Sequence, residues 1–151
     1  MFPFLHRQPA SGSRPGKKSD LIGSGIRVEC KNHFNKDGQI IVKDSWILKL
    51  YQETGLEVPI LSLGSGRGEP TWFILSIADA LAMTMTYNIE MIPIIWKSNS
   101  RPWHRSVTFD DSIKKDGDVN EVVLYSIKWE EMELGMFHVS DFQEILLNYV
   151  E

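Results

Sequence analysis

The tripeptide Gly23-Ser24-Gly25, set between the two short runs of "DLIGSGIRVECKN" (Asp20 to Asn32), constrains the fold of this chain more than any other feature. A turn that short folds two strands back on each other, and side chains along a strand alternate between its faces. Glu29 and Lys31 therefore project from one face, and Cys30 between them projects from the other, toward a core. The side taken by Asp20 depends on the turn. A two-residue loop at Ser24-Gly25 pairs residue 20 with 29, and one at Gly23-Ser24 pairs it with 27. Either register sets Asp20 on the face of Glu29 and Lys31. A regular three-residue loop reverses this unless a bulge restores the parity.

With that parity, two carboxylates come within about 4.5 to 8 Å of each other across the strands, which is unfavourable without a cation between them. The cation is either Lys31 or a metal, and a plain cross-strand salt bridge on a surface hairpin satisfies the same spacing. Carboxylate oxygens suit Mg²⁺, Mn²⁺ or Ca²⁺. Mg²⁺ commonly takes only one or two carboxylates and completes its shell with water and substrate phosphate. A metal held there would acidify a bound water and neutralise charge on a phosphodiester, while the nearby ammonium orients that water or stabilises the same charge.

A chain of 151 residues, 42% hydrophobic and 24% charged, has ordinary globular composition and fits one domain with an extension. Its one cysteine, Cys30, has no second thiol with which to form an internal disulfide or a thiolate metal site. No apolar run approaches the roughly 20 residues of a membrane span, and Met1 to Ala10 lacks a signal-peptide core. The expectation is a cytoplasmic protein with no membrane partner, in a bacterial, archaeal or phage-infected cell. The net charge of −4 argues against a generally adhesive nucleic-acid binder. It conceals an asymmetry: residues 1–49 carry nine Lys and Arg against four Asp and Glu, a net of +5, and the rest carry seven against sixteen, a net of −9. The hairpin thus lies in the half suited to meet phosphate.

"RQPASGSRPGKKS" (Arg7 to Ser19) reads as a basic Gly/Pro/Ser loop ahead of the hairpin, and "NHFNKDGQ" as a loop behind it. "KDSWILKLYQETG" predicts a helix capped by Asp44 or Ser45, with Trp46, Ile47, Leu50 and Tyr51 on its apolar face and Gly55 at its end. "VPILSL" and "TWFILSI" read as apolar strands around the turn "GSGRGEP". Ser76 caps a helix running to about Thr86, with Asp79 three residues on. "MIPIIW", "RSVTF" and "EVVLYSIKW" are strand-like. "VSDFQEILLNYVE" predicts a closing helix in which Ser140 and Gln143 form a capping box.

An Asp at the start of a hairpin followed by Glu-X-Lys on the next strand resembles the signature of the PD-(D/E)XK nuclease superfamily. More narrowly, "RQPASGSRPGKKSDLIGSGIRVECKN", an amphipathic helix and "VPILSL" resemble the Holliday-junction resolvases and related phage nucleases, over about Arg7 to Leu81. The resemblance implies an α/β fold with a restriction-endonuclease-like central mixed sheet flanked by helices. Residues 1–86 would form the nuclease-like core, and 87–151 a β-rich and helical C-terminal extension, packed on the core or forming a subunit interface. It implies Asp20 and Glu29 as ligands of Mg²⁺, with Mn²⁺ as its substitute and the backbone carbonyl of Cys30 as a further ligand. Lys31 would position or activate the attacking water. Ser11 and Ser13 would approach the scissile backbone, and Arg7, Arg14, Lys17 and Lys18 would hold phosphates. Relatives usually carry a further acid on a preceding helix; here Asp44, Glu53 or a neighbouring subunit would supply it.

The implied activity is a metal-dependent endonuclease acting on branched or distorted DNA. Paired incision at a junction calls for a homodimer or higher symmetric oligomer. Two other readings keep the fold: a restriction-like or homing-type endonuclease that reads base sequence, and a non-catalytic DNA-binding or interaction subunit. Elsewhere, "GSGRGEPT" lacks the Lys-Ser/Thr of a phosphate-binding loop and reads as a turn bearing Arg67. His33 and Asn35 beside the motif have no second histidine cluster, and His6, His104 and His138 are scattered. "SNSRPWHRS" combines Arg101, Trp103, His104 and Arg105, either to clasp an unpaired nucleic-acid strand or as a loop whose Trp anchors to the core.

Overall fold

A computed structural model describes residues 6–7, 21–23, 25–32, 39–64, 70–94, 97–101, 104–110, 121–129 and 131–150. The chain opens with β1 (His6–Arg7), β2 (Leu21–Gly23) and β3 (Ile26–Asn32), each antiparallel to the one before. β4 (Gln39–Lys43) belongs to a second sheet and runs directly into α1 (Asp44–Glu53), after which β5 (Val58–Gly64) returns parallel to β3. β6 (Pro70–Ser76) pairs antiparallel with β5 and leads into α2 (Ile77–Met83). β7 (Asn88–Pro93) follows, then the hairpin of β8 (Lys97–Arg101) and β9 (His104–Asp110). A second hairpin, β10 (Glu121–Trp129) and β11 (Met132–His138), ends in α3 (Val139–Val150).

The main sheet is mixed and eight-stranded, in the order β1-β2-β3-β5-β6-β11-β10-β7; β4-β9-β8 form a three-stranded sheet. The molecule is thus α/β, with a central mixed sheet flanked by helices. Alternation along the strands gives the sheet two apolar faces. Leu61, Leu63, Trp72, Ile74, Tyr125, Leu134 and Met136 face α1, whose Ile47 and Leu50 join the same core with Val42 of β4. Ile26, Val28, Ile60, Phe73, Leu75, Leu124 and Phe137 face α2 and α3, meeting Ala80, Met83, Phe142, Ile145 and Leu146. Stacked rings of Phe73, Phe142 and Phe137 tie β6, α3 and β11 together. Residues 87–151 therefore contribute strands and a helix to the same sheet and the same two cores as the residues before them.

Several local expectations meet the structure differently. Ser76 does cap α2, its Oγ accepting from the Asp79 N–H at 3.1 Å. α1 has Lys43 at its N-cap and no side-chain cap bond, because β4 passes into the helix without an intervening turn. It ends at Glu53, where the Thr54 hydroxyl donates to the Leu50 carbonyl at 2.5 Å. α3 starts one residue before Ser140, so the cap falls on His138, whose Nδ1 accepts from the Ser140 N–H at 3.2 Å. β4 and β11 are further strands, and β4 carries the β-branched run Ile40-Ile41-Val42. Lys97–Arg101, within the stretch read as a polar loop, is strand β8.

Candidate functional site

The described pairs of the first hairpin are Leu21 with Val28, Ile22 with Arg27 and Gly23 with Ile26. This is the register of a two-residue loop, Ser24-Gly25. Gly25 has φ +78°, in the left-handed region where a Cβ is strained and glycine is favoured. Asp20, Ser11, Ser13, Arg14, Lys17 and Lys18 lie outside the described residues. Arg7 is placed by its backbone, opposite Leu21 in β1.

On β3, Arg27, Glu29 and Lys31 occupy alternate positions and share the face covered by α1. Cys30 turns to the opposite face and packs against the core under α2 and α3. The backbone alternates likewise. The Val58 N–H donates to the Gly25 carbonyl at 2.9 Å, so odd-numbered residues of β3 aim their amides at β5. The carbonyl of Cys30 is therefore directed to the β2 side of β3, beyond Leu21.

Glu29 and Lys31 meet as an ion pair, Nζ to Oε1 3.6 Å, with the carboxylate side chain 13% and the lysine 33% exposed. They line a small recess, with room for about one water molecule, whose other walls are Trp46, Lys49, Leu50 and Glu53 of α1. α1 runs antiparallel over β3, its first turn above Lys31 and its last turn above Arg27. At the first turn the indole of Trp46 carries two ammonium groups, Lys31 Nζ at 5.7 Å and Lys43 Nζ at 5.5 Å from its centroid. At the last turn Arg27 Nη1 donates to the Glu53 carbonyl at 2.6 Å, and Nη2 lies 3.7 Å from Glu57 Oε1. Glu53 also pairs with Lys49 at 4.0 Å along the helix. The Glu57 carboxyl is held below its ordinary value, chiefly by its own backbone N–H; burial opposes this, and the Gly55 N–H and Arg27 add to it.

The recess therefore joins Glu29 and Lys31 from the strand to Glu53 from the helix. Asp44, buried at the start of α1, does not line it. Among the described residues no group of three or more His, Cys, Asp and Glu converges as a metal cage. The Glu29 carboxylate and the Cys30 carbonyl are oxygen donors, the type that hard divalent cations favour. Arg27 is an addition to the residues expected here, although its alternation with Glu29 and Lys31 is legible. Trp46 is expected only as part of an apolar face; of its cation contacts, Lys43 is a local one, three residues before it at the helix N-cap, and Lys31 depends on α1 lying over β3.

Comparison of the chain with protein-family models, with curated proteins and with solved structures finds no match.

Proposed function

We propose that the chain is a metal-dependent endonuclease that hydrolyses DNA phosphodiesters, structure-selective in the manner of a Holliday-junction resolvase. The observation that carries the reading is the pairing of Glu29 and Lys31 at 3.6 Å in a recess beside a hairpin of two-residue register. A ladder continued one step beyond Leu21 would put Asp20 opposite Glu29, the arrangement that calls for a cation. After the Glu-X-Lys strand β3, and beyond β4 of the second sheet, come α1 and the antiparallel pair β5–β6, the helix and further strands that the reading expects.

In this reading Glu29 and Asp20, with the Cys30 carbonyl, hold Mg²⁺ or Mn²⁺, which neutralises charge on the phosphate and acidifies a water. Lys31 orients that water and stabilises the developing charge, its ammonium steadied by Glu29 and the Trp46 ring. Arg7, Arg14, Lys17 and Lys18 hold flanking phosphates, positioning the backbone without reading sequence. Paired cuts at a junction require two such sites, hence a symmetric dimer.

The test is Mg²⁺-dependent cleavage of a labelled four-way junction and a linear duplex by wild type, Glu29→Ala and Lys31→Ala. Wild type should cut the junction in preference. Both variants should lose about 100-fold or more in rate, and Lys31→Ala should keep most of its junction affinity. No metal-dependent cutting by wild type, or undiminished cutting by Glu29→Ala, would overturn the proposal.

A further inference from the structure

Alternation along β3 turns Lys31 toward the recess but does not fix its ammonium, because a flexible four-carbon stem lets Nζ sample several positions. Two contacts fix it: Glu29 Oε1 at 3.6 Å and the Trp46 ring, whose centroid is 5.7 Å away. With both in place the lysine side chain is 33% exposed. Lys49, which walls the same recess and pairs with Glu53 at 4.0 Å, is 62% exposed. The lysine beside the indole is the one drawn in.

Lys43 shows what the ring does alone. It stands at the N-cap of α1, three residues before Trp46, and its ammonium lies 5.5 Å from the same centroid. Among the described residues no carboxylate lies within ion-pair distance of it. The indole therefore gathers an ammonium group without help from a carboxylate, as the negative face of its π system should. The fold keeps the ring in place: Trp46 is partly buried and packs against the core that Ile47 and Leu50 of the same helix enter.

The two holders of Lys31 differ in what a bound cation does to them. In the nuclease reading the Glu29 carboxylate is shared with a divalent cation and attracts the ammonium less. The indole has no ionisable group, and its attraction is unchanged. We infer that Trp46 is a positioning residue for Lys31, its indole rather than the Glu29 carboxylate holding the ammonium at the recess. The inference rests on the nuclease reading only for what Lys31 does there.

The deciding experiment needs neither metal nor DNA. Reductive methylation with carbon-13 formaldehyde labels every lysine and keeps its positive charge. The Lys31 and Lys43 signals are assigned in the two-dimensional NMR spectrum by Lys31→Arg and Lys43→Arg. The indole ring current should displace both upfield of the other lysines. Glu29→Gln removes the carboxylate charge and leaves the ring, and the Lys31 signal should stay displaced. A wild-type Lys31 signal among those of the other lysines, or one that joins them in Glu29→Gln, would overturn the proposal. The second readout is the cutting of a four-way junction in Mg²⁺. Trp46→Leu should cut about threefold to tenfold more slowly than wild type with its junction affinity kept, and Trp46→Phe should fall between. Leucine and phenylalanine both fill the apolar contact and only phenylalanine offers a π face, so equal rates for the two would also overturn it. If Trp46→Leu fails to fold by circular dichroism, the Glu29→Gln spectrum decides. A Lys31 signal that stays displaced in Glu29→Gln, together with no cutting by wild type, would sink the nuclease reading and leave the hold of Trp46 on Lys31 standing.

Discussion

Arg27→Met tests how α1 is held over the recess. The methionine keeps an apolar stem and removes the guanidinium, which is 12% exposed and spans from β3 to the end of the helix. Its 2.6 Å bond to the Glu53 carbonyl is charge-assisted and part-buried, a class that contributes about 1.5 to 3 kcal/mol. The 3.7 Å contact with Glu57 is partly solvated and adds at most about 1 kcal/mol. Against these stands Arg27 Nε, buried with no acceptor among the described residues, whose removal returns about 1 kcal/mol or more. The net expectation is a loss of about 1.5 kcal/mol, equivalent to a fall of about 3 to 6 °C in Tm for a domain of this size. Urea unfolding followed by circular dichroism should show a lower midpoint with an unchanged m value, and Arg27→Lys should fall between. An unmoved or raised midpoint would refute the reasoning. The buried Nε would then cost as much as the tether contributes, and α1 would be docked by Ile47 and Leu50 alone.

Gly135→Ala should destabilise by about 1 to 2 kcal/mol in the same assay, because the new methyl would meet the Ala80 Cβ and Leu124 Cδ1 at 2.9 Å, and α2 cannot rotate an alanine out of the way. A neutral result would mean that α2 shifts freely on β11. Glu57 is held below its ordinary carboxyl value, so its contribution is present at neutral pH and is lost as pH falls through the ordinary carboxylate range toward the folded value. Urea midpoints taken from about pH 7 to about pH 3 should therefore fall less steeply for Glu57→Gln than for wild type, and parallel curves would contradict this. A fragment ending at residue 86 should show no cooperative thermal transition. It opens the β6 edge that β11 covers and removes Phe137, Phe142, Ile145 and Leu146 from one core.

How far the sequence reveals this arrangement depends on the range of the forces involved. The first hairpin is legible because its signals are local: Gly23-Ser24-Gly25 marks the turn and alternation alone sets Glu29 and Lys31 on one face, while the choice of the Ser24-Gly25 loop emerges only in the structure, with Gly25 at positive φ. α2 is legible for the same reason, since Ser76 and Asp79 state its start. α3 is legible by its apolar period, while its cap is displaced because a histidine nitrogen takes the role expected of Ser140. β11 is hidden because "MELGMFH" is buried along Leu134–Phe137 and so shows no alternation of polar and apolar residues. β4 is marked locally by Ile40-Ile41-Val42, but its place in a second sheet is hidden because its partner β9 lies more than sixty positions away. Arg27 and Trp46 become visible as parts of the site only once α1 is set antiparallel over β3, a tertiary fact that no window of sequence contains.

Glu29 and Lys31 themselves conflict with their surroundings. In the sheet they stand opposite Leu61 and Leu63 of β5, both buried, on the face where α1 brings Ile47 and Leu50 to a shared apolar core. A strand at that position under a crossover helix is served best by leucine, and an ion pair that is partly withdrawn from water commonly contributes no more than an apolar replacement of similar size. Such a break with a local rule is expected at residues kept for chemistry, and the proposed function predicts it here. The double substitution Glu29→Leu/Lys31→Leu should therefore leave the urea midpoint unchanged or raise stability by up to about 1 kcal/mol, while abolishing metal-dependent cutting of a four-way junction. A loss of about 2 kcal/mol or more would mean the opposite: the pair would then be part of what holds β3 to α1, and its presence in the recess would need no function to account for it.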